Sequence, residues 1–175
     1  DNVLKRMNRP TTRLEIEKLL GGLRQEIPGL VIRTSLIVGF PGETDKDFKE
    51  LLDFVRKIRF ERLGAFIYSK EEGTKAARFE RQIHQKIKEE RLGELMRLQQ
   101  SVSSEINRSF VGKTVEVLID EKVEAEKNKY VGRTQGDAPE IDNTVYVSGN
   151  DIKVGEFYRA MITDSVEYDL IGEKI

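Results

Sequence analysis

The stretch Arg33-Thr-Ser-Leu-Ile-Val-Gly-Phe-Pro-Gly-Glu-Thr44 decides how this chain is read. It ends the β-branched run Leu30–Val38 (LVIRTSLIV), and Gly39 and Gly42 punctuate it, so the pattern predicts a buried strand followed by a tight turn. If the strand alternates, Arg33, Ser35 and Ile37 share one face, and Thr34, Leu36 and Val38 share the other. Working outward, Thr12 with Glu15 three residues on is a capping-box start. The helix it opens carries Ile16, Leu19, Leu20, Leu23 and Ile27 on one face and stops at Pro28-Gly29. Thr44 with Asp47 opens a second helix that buries Phe48, Leu51, Leu52, Val55 and Ile58. A second strand covers Arg62–Ser69. A long amphipathic helix then runs from Ile83 to about Asn107 through Ile83, Ile87, Leu95, Leu98, Val102 and Ile106. Helix–strand–helix–strand–helix predicts a parallel α/β sheet, and two strands are too few to bury both of its faces.

After Phe110 the hydrophobic period changes to two. Lys113–Glu121, Lys129–Thr134, Asn143–Val147, Glu156–Asp164 and Tyr168–Lys174 read as short strands between Gly, Asn, Asp and Pro. Five such strands predict a small closed β-barrel of OB-like size. The expected organisation is an α/β module over residues 1–108 and an all-β module over 109–175.

Composition narrows the chemistry. The chain has 175 residues with 30 Lys+Arg against 31 Asp+Glu, and no apolar run approaches the ~20 residues that span a bilayer. It opens on Asp1 with neither an initiator Met nor a basic-then-apolar leader, so it reads as a fragment of a longer chain without a signal peptide. With no Cys, disulfides, thiolate zinc sites, cysteine nucleophiles and cysteine-held iron–sulfur clusters are excluded from this segment. A single His, His84, at a helix start and read as a surface residue, argues against a His-rich metal site or a Ser-His-Asp triad. No catalytic side chain and no metal ligand is therefore assigned, and any enzymatic step would fall to a cofactor. The 35% charged content, with no Trp and 3 Met, leans toward a thermophile's composition.

The near-neutral total hides an asymmetry. Residues 110–175 carry 8 Lys+Arg against 14 Asp+Glu, a net of −6, and residues 1–109 carry 22 against 17, a net of +5. An acidic surface repels phosphates and attracts a Lys/Arg-rich protein, or it is simply a solvated face. Arg33, in an otherwise apolar strand, needs an anionic partner, either a carboxylate of the protein or one carried by a ligand. Gly39 and Gly42 allow close backbone approach at the carboxyl end of a strand, where α/β sheets bind ligands. As punctuation alone they make only a turn. No Gly-Lys-Ser/Thr follows, so this is not a P-loop. Tyr130, Tyr146, Phe157 and Tyr158 form either a base-stacking platform or core and cross-strand pairs.

The IVGFPGET element between strand and helix, followed by AFIYSKEEGT, resembles the later part of the radical S-adenosylmethionine (SAM) methylthiotransferases. The opening VLKRMNRPTT is similar to that family's helix bearing a Met-x-Arg element, and the β-module is similar to its terminal TRAM domain. The resemblance implies a partial, TIM-like α/β barrel fragment followed by TRAM. It also implies SAM as cofactor and two 4Fe-4S clusters ligated upstream of this chain. One cluster reduces SAM to a 5′-deoxyadenosyl radical and the other handles the sulfur, so this segment alone would be inactive. Gly42 stands where the looser Gly-x-Ile-x-Gly-x-x-Glu pattern has its Glu, and no role is carried over to Glu43. Strand facing and the family layout together make Arg9 and Arg33 candidates for the methionyl carboxylate. Ile37, Gly39 and the Tyr68 end of the second strand are candidates for packing on adenine.

Two motifs point to the substrate branch. Tyr68–Thr74 (YSKEEGT) resembles the YSPEEGT of the branch acting on an aspartate of small-subunit ribosomal protein twelve, the RimO type, more than the YSPRPGT of the tRNA branch. Gly132–Asp142 (GRTQGDAPEID) is similar to that same branch's loop. The resemblance thus implies replacement of an aspartate C–H by C–S–CH₃ in the cytoplasm. The partner is a basic ribosomal protein rather than RNA at the TRAM domain, and no membrane is involved. Asp137, Glu140 and Asp142 are the expected substrate contacts, on an exposed turn anchored by Pro139. The alternatives are a tRNA (adenosine) methylthiotransferase and, from another class, a non-catalytic acidic adaptor barrel that binds a basic protein.

Overall fold

The computed structural model describes all of residues 1–175, which divide into two compact units, Asp1–Gln99 and Gln100–Ile175. The first unit contains α1 (Asn2–Arg6), α2 (Arg13–Glu26), β1 (Arg33–Val38), α3 (Asp45–Ile58), β2 (Arg62–Ile67), a 3₁₀ turn (Ala76–Arg78) and most of α4 (Gln85–Arg108). Both expected capping boxes form. The Thr12 hydroxyl accepts from the Glu15 amide and the Thr44 hydroxyl from the Asp47 amide, while each acidic partner accepts in return from the cap's own N–H. α3 ends where Arg59 takes the left-handed conformation, φ 55°.

β1 and β2 pair in parallel, from Arg33 opposite Arg62 to Val38 opposite Ile67. β1 alternates as expected, and its Thr34, Leu36, Val38 face packs inward. Val38, Phe48, Leu52, Val55 and Leu95 form the core, with Leu36, Leu63 and Ala65 against it. Each fully buried aliphatic there contributes roughly 1.5–3 kcal/mol.

Two helices depart from their apolar stripes. α2 has no buried residue, and Leu19, Leu23 and Ile27 are exposed, because a two-stranded sheet offers too little surface to cover that face. On α4 the buried positions in this unit are Lys88, Arg91, Leu95 and Gln99, whereas Ile87 is exposed. The polar groups settle there because each finds a fixed partner. Lys88 Nζ donates to the Tyr68 carbonyl (2.9 Å), Arg91 to Glu43 (2.8 Å), and Gln99 Nε2 to the Phe60 carbonyl (3.0 Å).

The second unit is a closed barrel in the order β3-β4-β5-β7-β6, from β3 (Thr114–Lys122), β4 (Lys129–Arg133), β5 (Val145–Ser148), β6 (Phe157–Ser165) and β7 (Leu170–Lys174). Only β5–β7 is parallel. Register shifts at Ile119/Glu121 and Ile162/Asp164 bend the long strands β3 and β6 into the closure. Val117, Ile119, Tyr130, Val145, Val147, Ala160 and Ile162 fill the interior. At Gly132 a Cβ would lie 2.3 Å from the Leu118 carbonyl oxygen, so the close β3–β4 approach requires glycine. Of the four aromatic candidates, Tyr130 is core and Tyr158 packs against it, while Tyr146 and Phe157 are exposed. No helix is long and apolar enough to cross a membrane.

Candidate functional site

The face of the β1–β2 sheet turned away from α3 is open. Arg33, Ser35 and Ile37 of β1 lie beside Arg62, Gly64 and Phe66 of β2 in register, so the face runs from two guanidiniums across a floor of small residues to two exposed apolar side chains. Arg33 is exposed. Its expected burial in an apolar strand is therefore corrected, because alternation turns it onto the uncovered face, and the cost of a buried charge no longer dictates its partner. A cavity of about 450 Å³ borders this strand, within the range of small-molecule sites. Its lining brings together Arg9, Arg33, Ser35 and Ile37 with Met7 and Ile16.

Gly39, which begins the turn, and Tyr68 are not among the residues that line that cavity. Gly39 has φ 75°, and a Cβ there would sit 2.4 Å from Lys88 Cγ. Its amide donates to both carboxylate oxygens of Glu43, at 3.0 and 3.1 Å. The Tyr68 ring is buried, edge-on to Phe40 with centroids 5.2 Å apart and with Lys88 Nζ 5.1 Å from its own centroid. Its N–H donates to the Val38 carbonyl (2.9 Å), and its hydroxyl is buried with no hydrogen-bond partner.

Glu43, to which sequence patterning gave no role, organises this turn. It is buried and receives the Gly39 amide and the Arg91 guanidinium, and Arg91 reaches on to Asp45 (2.7 Å). Burial pushes the Glu43 carboxyl above the usual carboxylate range, and the Gly39 amide and Arg91 only partly offset this. The available signal was that Lys88 and Arg91 fall seven and four residues before Leu95, on the helix face that Leu95 buries.

In the barrel loop, the three acidic candidates separate. Asp137 is buried, and its carboxylate accepts from the Thr134 hydroxyl (2.6 Å) and amide (3.2 Å); Asp142 accepts from the Ala138 amide (2.8 Å). The expectation of three exposed carboxylates is thus corrected, since two of them close the loop. Glu140 alone is fully exposed, at φ 63°. His84 is exposed, and no group of three or more His, Cys, Asp or Glu is placed to hold a metal ion.

A TRAM domain is matched over residues 111–175. Along nearly its whole length the chain is similar to proteins named ribosomal protein uS12 methylthiotransferase RimO. It is 51% identical over 174 residues to that of Clostridioides difficile (99% of this chain, 39% of the relative). The protein of Bacteroides fragilis is 48% identical over 178 residues (100% and 40%), and that of Geotalea uraniireducens 51% over 173 residues (99% and 39%). About half of the aligned positions are identical in each of these RimO-named proteins. The chain spans about two fifths of the length of these RimO relatives. The closed five-stranded barrel lies within the stretch that the TRAM match covers.

Proposed function

We propose that this chain is part of a radical SAM methylthiotransferase that replaces a C–H on the β-carbon of an aspartate in ribosomal protein uS12 with C–S–CH₃. Residues 1–108 would form the C-terminal part of a TIM-like partial barrel and residues 109–175 the TRAM domain. The observation that carries this reading is the identity of about half of all positions, across both units, to proteins named for that activity. The geometry supports it. β1 and β2 are parallel with helices on one side only, β1 has an unpaired edge, and α2 leaves Leu14, Leu19 and Leu23 exposed, as a barrel segment lacking its neighbouring strands would.

The cavity, at about 450 Å³ and with Arg9 and Arg33 in its lining, is of a size and charge to take SAM. Arg9 and Arg33 would hold the methionyl carboxylate, and Ile37 would pack on the adenine. Gly39 and Tyr68, the other two candidates for the adenine, also keep the turn in place through Glu43 and Lys88. When bound, SAM supplies the radical that takes the substrate hydrogen and the methyl group. The two 4Fe-4S clusters require thiolates, which this chain lacks, so its residues are assigned to binding and positioning only. The acidic barrel would meet a Lys/Arg-rich protein in the cytoplasm, with Glu140 the exposed contact and Asp137 and Asp142 shaping its loop.

Two measurements test this. In the full-length enzyme, Arg33→Leu should weaken SAM binding by about 2–5 kcal/mol, read by calorimetry. Intact-mass analysis should find the methylthio group on uS12; modification of a tRNA adenosine instead would overturn the substrate assignment.

A further inference from the structure

We infer that Arg6, Arg78 and Arg81 form a second site, which takes the phosphate backbone of RNA. These three arginines, with Phe79 and Glu80, line an open hollow beside the Gly39–Gly42 turn, apart from the cavity that holds Arg33. No acidic side chain forms an ion pair with any of the three, so the hollow gathers three guanidiniums against one carboxylate. Arg6 is fixed in place. Its Nε donates to the Pro41 carbonyl (3.0 Å), its guanidinium lies 5.0 Å over the Phe79 ring, and a side chain at Gly42 would meet it at 3.0 Å. With Nε committed to Pro41, the hydrogen-bonding capacity left to this guanidinium is that of its two terminal nitrogens. Arg81 is held at φ 61°, a conformation costly for a residue with a Cβ, while its carbonyl accepts the Gly42 amide (2.9 Å). Strain of this kind persists where the surroundings enforce it, and it clusters at ligand sites.

The chemistry selects phosphate on an extended strand. Guanidinium forks match phosphate oxygens, and three of them, Arg6 from α1 with Arg78 and Arg81 from one loop, suit several phosphates in succession. A single small anion is usually enclosed by several converging backbone amides, and three amides around this hollow are already engaged. Arg78 N donates to Lys75 O, Phe79 N to Ala76 O and Gly42 N to Arg81 O. Arg78 and Arg81 are exposed, so the site is a surface crossed by a backbone and binds without reading bases. It also lies in the half of the chain with a net charge of +5 and not in the acidic barrel. Only the choice of RNA over DNA rests on the proposed ribosomal-protein substrate.

The test is fluorescence anisotropy of a labelled RNA oligonucleotide titrated with the 175-residue chain at several salt concentrations. R78E/R81E should weaken binding at least about tenfold at low salt and reduce the salt slope by about two, one for each guanidinium withdrawn from a phosphate. K46E/K49E, which makes the same charge change on the exposed side of α3, should bind as the parent does. An equal loss in both variants, no loss in R78E/R81E, or displacement of the RNA by an equal phosphate concentration of inorganic phosphate would overturn the site. Tighter binding of DNA of the same sequence would overturn its assignment to RNA. None of these readouts uses methylthio transfer, so the failure of this site and of the proposed activity are distinguishable.

Discussion

Glu43 and Arg91 meet at 2.8 Å with side chains only 3% and 8% exposed, linking the Gly39–Gly42 turn to α4 across 48 residues of sequence. Because the carboxylate is buried, removing its partner leaves a charge that cannot be solvated. Arg91→Met should cost about 3–5 kcal/mol in urea unfolding, and E43Q/R91M should cost less than R91M alone. Burial already holds the Glu43 pKa above its ordinary value, so this group favours folding most when protonated, below its unfolded pKa, and that contribution is lost as pH rises through the folded value. The R91M deficit should therefore shrink as the solution is acidified. A deficit that grows in acid would show the sign to be wrong.

At Gly39 two penalties coincide, a left-handed backbone and the 2.4 Å approach of Lys88 Cγ to any Cβ. Gly39→Ala should lower stability by about 2 kcal/mol or more, of which about 1–2 kcal/mol is the backbone term. In G39A/K88A the steric part should be relieved and the backbone part retained, which a double-mutant cycle of thermal unfolding will measure.

The α3 cap sets an acid limb of opposite sign. Partial burial alone would raise the Asp47 pKa, but the Thr44 hydroxyl and amide hold it below the ordinary value. A depressed folded pKa gives stability that is present above the unfolded pKa and lost as pH falls through the folded one. Thr44→Ala should cost about 1 kcal/mol near neutrality, and Asp47→Asn should flatten the acid limb of the stability curve. Circular dichroism melts from neutral to acidic pH would show both.

Within the barrel loop, Asp137 and Glu140 should respond differently to substitution. Asp137→Ala removes the acceptor for the Thr134 hydroxyl and amide and should destabilise the loop by about 1–2 kcal/mol, seen as faster amide exchange over residues 134–142. Glu140→Gln should leave stability within about 0.5 kcal/mol. It should instead slow association with a basic protein more than it speeds dissociation, which stopped-flow mixing at two salt concentrations separates.

Periodicity alone located the elements of this protein. Thr12/Glu15 and Thr44/Asp47 announce their helices because a capping box is built within four residues. Arg33, Ser35 and Ile37 fall on one face of β1 because a strand's geometry leaves no other choice. The five barrel strands were legible for the same reason. Inside and outside alternate along the strands from Thr114 onward, apart from the shifts in β3 and β6, and a small sheet with that pattern gains most by closing on itself.

What each polar group does was decided by distant chain. α4 reads as amphipathic through Ile83, Ile87 and Leu95, yet it buries Lys88, Arg91 and Gln99, because Tyr68, Glu43 and Phe60 wait on other elements to accept their protons. Asp137 and Asp142 are the local exception, since their donors, Thr134 and Ala138, lie only three and four residues away and the closure of the loop itself brings them together. Gly39 and Tyr68, taken from the sequence as ligand contacts, are not among the residues lining the cavity, and Lys88 packs over both of them. Local pattern fixes which way a side chain points, since that depends on backbone geometry a few residues long. Whether it then meets water, a ligand or a buried partner depends on contacts across dozens of residues, and those only the tertiary structure supplies.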